Sequence, residues 1–361
     1  MHITLIAGAR PNFIKIAPLI HAIQKAQEMG KQISYRLVHT GQHYDKNMSD
    51  TFFEELNIPA PDANLGCGGG SQAEQTAAIM IAFEKELIAH PTDLVLVVGD
   101  VTSTMACSIV AKKLNTKVTH VEAGIRSWDL TMPEEINRMV TDCLADFYFT
   151  TSEVANQNLR NAGVTEDKIH FVGNVMIDTL RANENKFIKP NVFDELSLQD
   201  GKYIVMTLHR PANVDEADKL RNLVNQITNN VENEPIVFPI HPRTARIFKD
   251  LGIHAENLYP IDPLGYLEFN YLVKHARAVV TDSGGITEET TVMGIPCITL
   301  RDNTERPETC TIGTNELIGT NPDNIAPALK TLYAGKWKKG AIPPLWDGHT
   351  AERIVDILLQ K

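Results

Sequence analysis

Residues 280–286, VTDSGGI, set three small residues, Ser283, Gly284 and Gly285, between a β-branched stretch and the start of a helical one. Backbone N–H groups at such a helix start, aided by the helix dipole, suit a diphosphate. Read structurally, Ser283 is an N-cap and the glycines form a tight turn. Glu288 and Glu289 follow in the first helical turn. A fixed carboxylate there accepts hydrogen bonds from a ribose diol, or simply favours the helix N-terminus by its charge. Cations for the same ligand stand elsewhere. Arg10 follows the first apolar stretch, Pro11 opens the next segment, and Lys15 lies about one turn beyond. The run TLHR at 207–210, which contains His209, and Arg306 supply more cations. Surface Arg and Lys side chains are otherwise simply solvated.

Three carboxylates invite acid–base chemistry: Asp100, Glu122 and Glu134. Adjacent strand ends in a parallel sheet lie about 5 Å apart, so Asp100 and Glu122 are expected to converge on one bound sugar. Paired carboxylates whose pKa values are pushed apart serve as acid and base. The structural alternatives are that Asp100 caps the helix after Val101 and that Glu134 is an ordinary first-turn helix residue. Glu122, which precedes Ala123 and Gly124, has the weakest structural explanation and ranks first.

Several chemistries lack their residues. No GxGxxG opens a first helix, since GCGGGS at 66–71 misses the spacing and follows no strand. There is no P-loop, no HExxH and no Asp-x-Asp pair to carry a metal-bound diphosphate. The site is therefore expected to work with no redox cofactor and no essential metal. The five cysteines, Cys67, Cys107, Cys143, Cys297 and Cys310, form no CxxC pair and read as reduced, mostly buried thiols.

The elements that must position these groups follow an α/β pattern. Strands are predicted at 3–7, 35–39, 94–98, 118–121, 147–150 and 169–172, then at 203–207, 236–240, 278–281 and 297–300, with a weaker one at 257–259. Helical periodicity runs between them, as in Phe13, Ile16, Ile20 and Ile23, or Ala73, Ala77, Met80 and Ile81. Strands apolar on both faces, separated by amphipathic helices, indicate parallel sheets covered on each side. Two such series predict two doubly wound, Rossmann-like domains with a cleft between them. The boundaries are placed at 1–173 and 174–348, and the final segment, with Ile354, Ile357 and Leu358 on one face, reads as a docking helix. Ligands in open parallel sheets sit beyond the carboxyl ends of the strands, and the polar residues singled out above cluster just there.

The length of 361 residues itself favours two domains. A net charge of −11 argues against a nucleic-acid binder. No apolar run approaches the roughly 18 residues of a membrane helix, and the N-terminus has no signal-peptide pattern. A cytoplasmic protein is expected.

Taken in order, the motifs resemble the non-hydrolysing UDP-N-acetylglucosamine 2-epimerases nearly end to end. They are GARP at 8–11 with Lys15, HTGQH at 39–43, VGD at 98–100, HVEAG at 120–124 and PEEINR at 133–138. They continue with Gly173 and Asn174, Ile177 and Asp178, TDSGGITEE at 281–289 and RDNTERPE at 301–308. The resemblance implies a fold of the GT-B type, a C-terminal helix in 349–361 packing back on the first domain, a homodimer, and a UDP-sugar substrate epimerised at C2 through elimination of UDP and re-addition. It further implies a role in cell-surface polysaccharide biosynthesis. By it, Arg10, Lys15, His209, Ser283, Gly284, Gly285, Glu289 and Arg306 are similar to a UDP-binding set, and Phe269 falls where the family contacts the uracil region. Asp100, Glu122 and Glu134, with His209, are similar to the catalytic groups. Gln42 and His241 match parts of an effector site, whose arginine near 66–71 is not present here. The family's Gly-His-Arg-Arg-Glu run is replaced by LHRPA at 208–212.

Competing readings are an epimerase of UDP-2,3-diacetamido uronic acid sugars, a hydrolysing epimerase, a GT-B glycosyltransferase and a non-catalytic nucleotide-sugar-binding regulator. The carboxylate trio argues against the last two.

Overall fold

A computed structural model describes residues 1–42, 53, 55–240 and 242–361. The chain divides into two units, Met1–Ala182 with Pro344–Lys361, and Asn183–Pro343. The first holds seven strands: β1 (His2–Ala7), β2 (Ser34–His39), β3 (Ala63–Asn64), β4 (Leu94–Val98), β5 (Lys117–Val121), β6 (Phe147–Thr150) and β7 (Ile169–Phe171). They form one sheet in the order β3-β2-β1-β4-β5-β6-β7, parallel throughout. The second unit holds β8 (Ile204–Thr207), β9 (Ile236–Pro239), β10 (Leu258–Ile261), β11 (Ala278–Thr281), β12 (Cys297–Thr299) and β13 (Asn315–Leu317). These are also all parallel, in the order β10-β9-β8-β11-β12-β13.

The sequence pattern explains the sheets. In the second unit Ile204, Met206, Val280 and Ile298 face one apolar core, while their strand neighbours Val205, Val279 and Cys297 face the other. Strands clothed on both faces need apolar residues at every position. Both sheets reverse their strand order once, at β1/β4 and at β8/β11, which is where doubly wound folds bind ligands. The short edge strands β3 and β13 were not predicted. At two and three residues they carry no periodicity to read.

Packing corrects two helical readings. The helix Gln72–Ala89 buries Ile79, Phe83 and Leu87, while Ala73, Ala77 and Ile81 are exposed and Met80 is half-buried. The larger side chains at i, i+4 and i+8 win the core. In the C-terminal helix Thr350–Leu358, Val355 is buried together with Ile354 and Leu358, and Ile357 is half-buried.

The unit boundaries fall after Ala182 and after Pro343, against the predicted 173 and 348. The helix Val175–Asn183 belongs mostly to the first unit, because Thr179 Oγ1 donates to the Ile14 carbonyl at 2.5 Å. Asp178 caps the C-terminal helix, accepting from the N–H groups of Thr350 (3.1 Å) and Ala351 (2.7 Å). That helix lies on Arg10–Glu28, with Lys25 paired to Glu352 at 2.6 Å. All five cysteines are free thiols, with Cys67, Cys107 and Cys297 buried and Cys143 exposed. Among the described residues no helix is long and apolar enough to cross a membrane.

The helix Pro133–Leu144 is inverted in polarity. Its buried residues are Glu135, Asn137, Arg138, Thr141 and Asp142, whereas Ile136 and Met139 are exposed by 47% and 38%. An amphipathic helix on a soluble unit ordinarily does the reverse.

Candidate active site

In the first unit the candidate residues gather at the carboxyl ends of β1, β4 and β5. Asn12, in the first turn of the helix Arg10–Glu28, accepts from the N–H groups of Gly8 and Ala9 through Oδ1. Its amide donates to the Val98 carbonyl at 3.0 Å. This ties the end of β1 to that of β4. One turn on, Lys15 Nζ meets Glu122 Oε2 at 2.6 Å, both side chains nearly buried. Gly99 makes room for the pair. Its φ is +70°, and a Cβ there would stand 3.2 Å from Lys15 Nζ and 3.8 Å from Glu122 Oε2. Glu122 itself has φ +71°, a left-handed conformation that non-glycine residues rarely adopt and that recurs at functional sites. The N–H groups of Glu122 and Ala123 both donate to the Phe149 carbonyl at 3.0 Å, which fixes this conformation.

Asp100 does not cap a helix. The following helix, Thr102–Lys113, takes Val101 as N-cap with no side-chain bond. The Asp100 carboxylate instead pairs with Arg138, and its carbonyl accepts from Asn137 Nδ2 at 2.8 Å. Both partners come from the polar inner face of Pro133–Leu144. On that face Glu135 is structural: fully buried, it accepts from Ser127 N, Ser127 Oγ, Trp128 N and Arg138. Its neighbour Glu134 is exposed. Further along, Asp142 holds His120 at 2.7 Å, Arg126 at 2.6 Å and the Gly124 N–H at 3.0 Å. Burial pushes the Asp142 carboxyl up, but His120 and Arg126 outweigh this and keep it below the usual range.

In the second unit the loops after β8 and β11 are joined by hydrogen bonds. Thr207 Oγ1 and Thr281 Oγ1 are 2.6 Å apart at the strand-order reversal. Asp282, wholly buried, accepts from the N–H groups of His209 and Arg210, from Asn213 Nδ2, and pairs with His209 Nδ1 at 2.8 Å. Burial would raise the Asp282 carboxyl, yet His209 and these donors bring it below its ordinary value. With Nδ1 so engaged, the His209 ring remains half-exposed.

Ser283 stands at the N-cap of the helix Gly284–Met293 without a side-chain cap bond, so the first N–H groups of this helix are not taken by its hydroxyl. Gly284 lies against Arg301, whose guanidinium is held by Glu305 in two 2.8 Å bonds. Within the helix, Glu288 pairs with Arg306. Glu289 is pushed up to about 7 by burial, opposed by bonds to Tyr266 and Asn270 and reinforced by the charge of Glu288. Phe269 is half-buried against the core beneath this helix.

Of the effector residues, Gln42 Oε1 accepts from Ser103 N (3.2 Å) and Oγ (2.9 Å). His241 and the Arg10 side chain lie outside the described residues. Among the described residues no group of three or more His, Cys, Asp or Glu is arranged to hold a metal ion. Residue-type reasoning gave no role to Arg138 and Asn137, which hold Asp100, to Asp142, which holds the Gly124 N–H, to Asp282, which holds His209, or to Arg301, which lies against Gly284. The one available signal was His120, polar and inside a strand.

Similarity to known proteins runs the length of the chain. Residues 25–359 match the family described as UDP-N-acetylglucosamine 2-epimerase. The UDP-N-acetylglucosamine 2-epimerase of Methanocaldococcus jannaschii is 41% identical over 372 residues, covering 99% of each chain. The UDP-2,3-diacetamido-2,3-dideoxy-D-glucuronate 2-epimerase of Pseudomonas aeruginosa is 41% identical over 363 residues, again 99% of each. The solved M. jannaschii UDP-GlcNAc 2-epimerase, in complex with UDP-GlcNAc and UDP, matches with a TM-score of 0.89 over the whole of both chains. That likeness shows the GT-B type of two-domain fold. Family and fold thus agree over the full length, and the chain belongs to the UDP-N-acetylglucosamine 2-epimerase family.

Proposed function

We propose that this chain is a non-hydrolysing epimerase that interconverts UDP-N-acetylglucosamine and UDP-N-acetylmannosamine. The observation that carries the reading is the Lys15–Glu122 pair beside Asp100, set at the strand-order reversal of the first unit. In the proposed reaction a carboxylate takes the C2 proton while the C1–O bond to the diphosphate breaks. The bonding pair leaves on UDP, and a C1–C2 double bond forms, giving bound 2-acetamidoglucal. In return the UDP oxygen attacks C1, and a proton is delivered to C2 on the opposite face. Asp100, Glu122 and Glu134 act on the sugar, with Glu122 foremost. The second unit holds UDP: Ser283, Gly284, Gly285 and Arg306 at the diphosphate, Glu289 at the ribose, Phe269 near uracil and His209 at the leaving group. A weakly acidic C–H needs this stabilisation of the departing anion as well as a base. Arg10 and Lys15 complete the cationic set.

The enzyme is proposed to act as a homodimer. Among the described residues four of the eleven exposed large apolar side chains, Trp128, Leu130, Ile136 and Met139, fall within one short stretch. That concentration, Ile136 and Met139 on the outer side of an inverted helix and the other two in the stretch just before it, supports burial against a second copy. A cytoplasmic location and a role in cell-surface polysaccharide biosynthesis go with this reading. A second reading concerns the sugar alone. The P. aeruginosa relative named for a diacetamido uronate substrate is as similar as the M. jannaschii one.

Incubation with UDP-N-acetylglucosamine in D₂O, followed by NMR at C2, tests both. Interconversion with deuterium at C2 is expected. Free N-acetylmannosamine would mean a hydrolysing enzyme, and exchange only with the diacetamido uronate nucleotide would establish the second reading. Glu122→Gln is expected to bind UDP as the unaltered chain does while losing about 10²–10⁴-fold in turnover; unchanged turnover removes Glu122 from the mechanism.

A further inference from the structure

His120 is fully buried at the heart of the first unit, and its two ring nitrogens both face acceptors. Nδ1 lies 2.7 Å from Asp142 Oδ1, and Nε2 lies 2.8 Å from the carbonyl oxygen of Gly99. A neutral imidazole donates from one nitrogen and accepts at the other. A backbone carbonyl can only accept. Asp142 can donate only if protonated, and the Arg126 guanidinium and the Gly124 N–H on its other oxygen, Oδ2, both favour the ionised carboxylate.

We infer that His120 carries a hydrogen on each ring nitrogen and, donating to Asp142 and to the Gly99 carbonyl at once, is a positioning residue for the acid–base carboxylates. The carbonyl it grips belongs to the peptide joining Gly99 to Asp100. That peptide leaves a residue at φ +70°, beside the Lys15–Glu122 pair. Rotation of the peptide would swing Asp100 off Arg138, which otherwise holds it from the helix Pro133–Leu144. Asp142 comes from the same helix and also fixes Gly124, two residues after Glu122. The groups facing the ring are therefore Asp142 with Arg126 behind it, the Gly99 carbonyl, and Tyr148, whose hydroxyl donates to the Asp142 carbonyl at 2.8 Å. The positioning role rests on the epimerase reading; the hydrogen-bond assignment does not.

The test is a long-range ¹H–¹⁵N spectrum of full-length protein labelled in its histidines, recorded from about pH 6 to about pH 9. The His120 resonances are identified by their loss in His120→Gln. Two proton-bearing nitrogens are expected in the folded protein at about pH 7, and a neutral, single-tautomer ring there overturns the inference. In folded His120→Gln and Asp142→Asn variants, kcat is expected to fall about 10- to 100-fold, with KM and UDP affinity within about threefold. A merely structural histidine would lower the melting temperature and leave kcat as it was, which also overturns the role. If both variants unfold, the His120 resonances are assigned instead by through-space contacts to the ring's neighbours in the folded, unaltered protein, and that spectrum decides. A wild-type chain that does not epimerise overturns the functional reading and the positioning role together. The spectrum needs no substrate, so it distinguishes that failure from an error in the hydrogen-bond assignment.

Discussion

At the scale of single residues, Glu289 offers a direct link between burial and ligand binding. Burial raises its carboxyl to about 7, well above the value near 4.5 expected in an unfolded chain. A raised acid contributes stability that is complete below about pH 4.5 and is lost as pH rises through about 7. Ionised Glu289 is thus costly to the empty fold, and in the proposed complex a ribose diol donating to it would relieve that cost. UDP affinity is expected to rise between about pH 6 and about pH 8, and Glu289→Gln to flatten the dependence. Titration calorimetry across that range checks both. Asp100, Glu122 and Ser283 were legible in sequence because strand ends announce themselves. The residues that hold them were not. Arg138 and Asp142 share a helix with Ile136 and Met139, and ordinary apolar periodicity turns those two inward and the charged residues out.

At the scale of elements, the junctions between strand and helix carry the site, and Gly99 shows how narrowly. Gly99→Ala places a Cβ at positive φ, 3.2 Å from Lys15 Nζ. Gly294, at φ +73° in a helix C-cap, has nothing within 4 Å of the equivalent position. Both alanine variants are expected to lose about 1–2 kcal/mol of stability from the left-handed backbone, measured by denaturant unfolding. Only Gly99→Ala is expected to lose turnover as well, by about tenfold or more. Equal turnover in the two would mean that the Lys15–Glu122 pair tolerates displacement. Most strands were read within a residue or two of their ends, because parallel strands buried on both faces advertise continuous apolar runs. The face of Gln72–Ala89 was misread because small alanines mimic the period without filling the core.

At the scale of the whole molecule, the two doubly wound units and the C-terminal return helix were legible from the alternation of elements and the order of motifs. The sites of division were not, since the helix Val175–Asn183 shows only in three dimensions that it belongs mostly with the first unit. The proposed dimer belongs to this scale. Ile136→Lys combined with Met139→Lys is expected to convert a dimer into a folded monomer, read by light scattering. A dimer that survives both charges would place the contact elsewhere.

The inverted helix has a consequence for how such an enzyme is handled in the laboratory. Its outer side would meet a second subunit, while its inner side steadies Asp100, Arg138 and the His120 grip. Dilution below the dissociation constant of the proposed dimer would then loosen the proton-transfer machinery first, leaving nucleotide retention on the other unit intact. Specific activity would decline at low enzyme concentration while a fluorescent UDP analogue stayed bound. Assays run at nanomolar enzyme would understate the catalyst that operates in a crowded compartment.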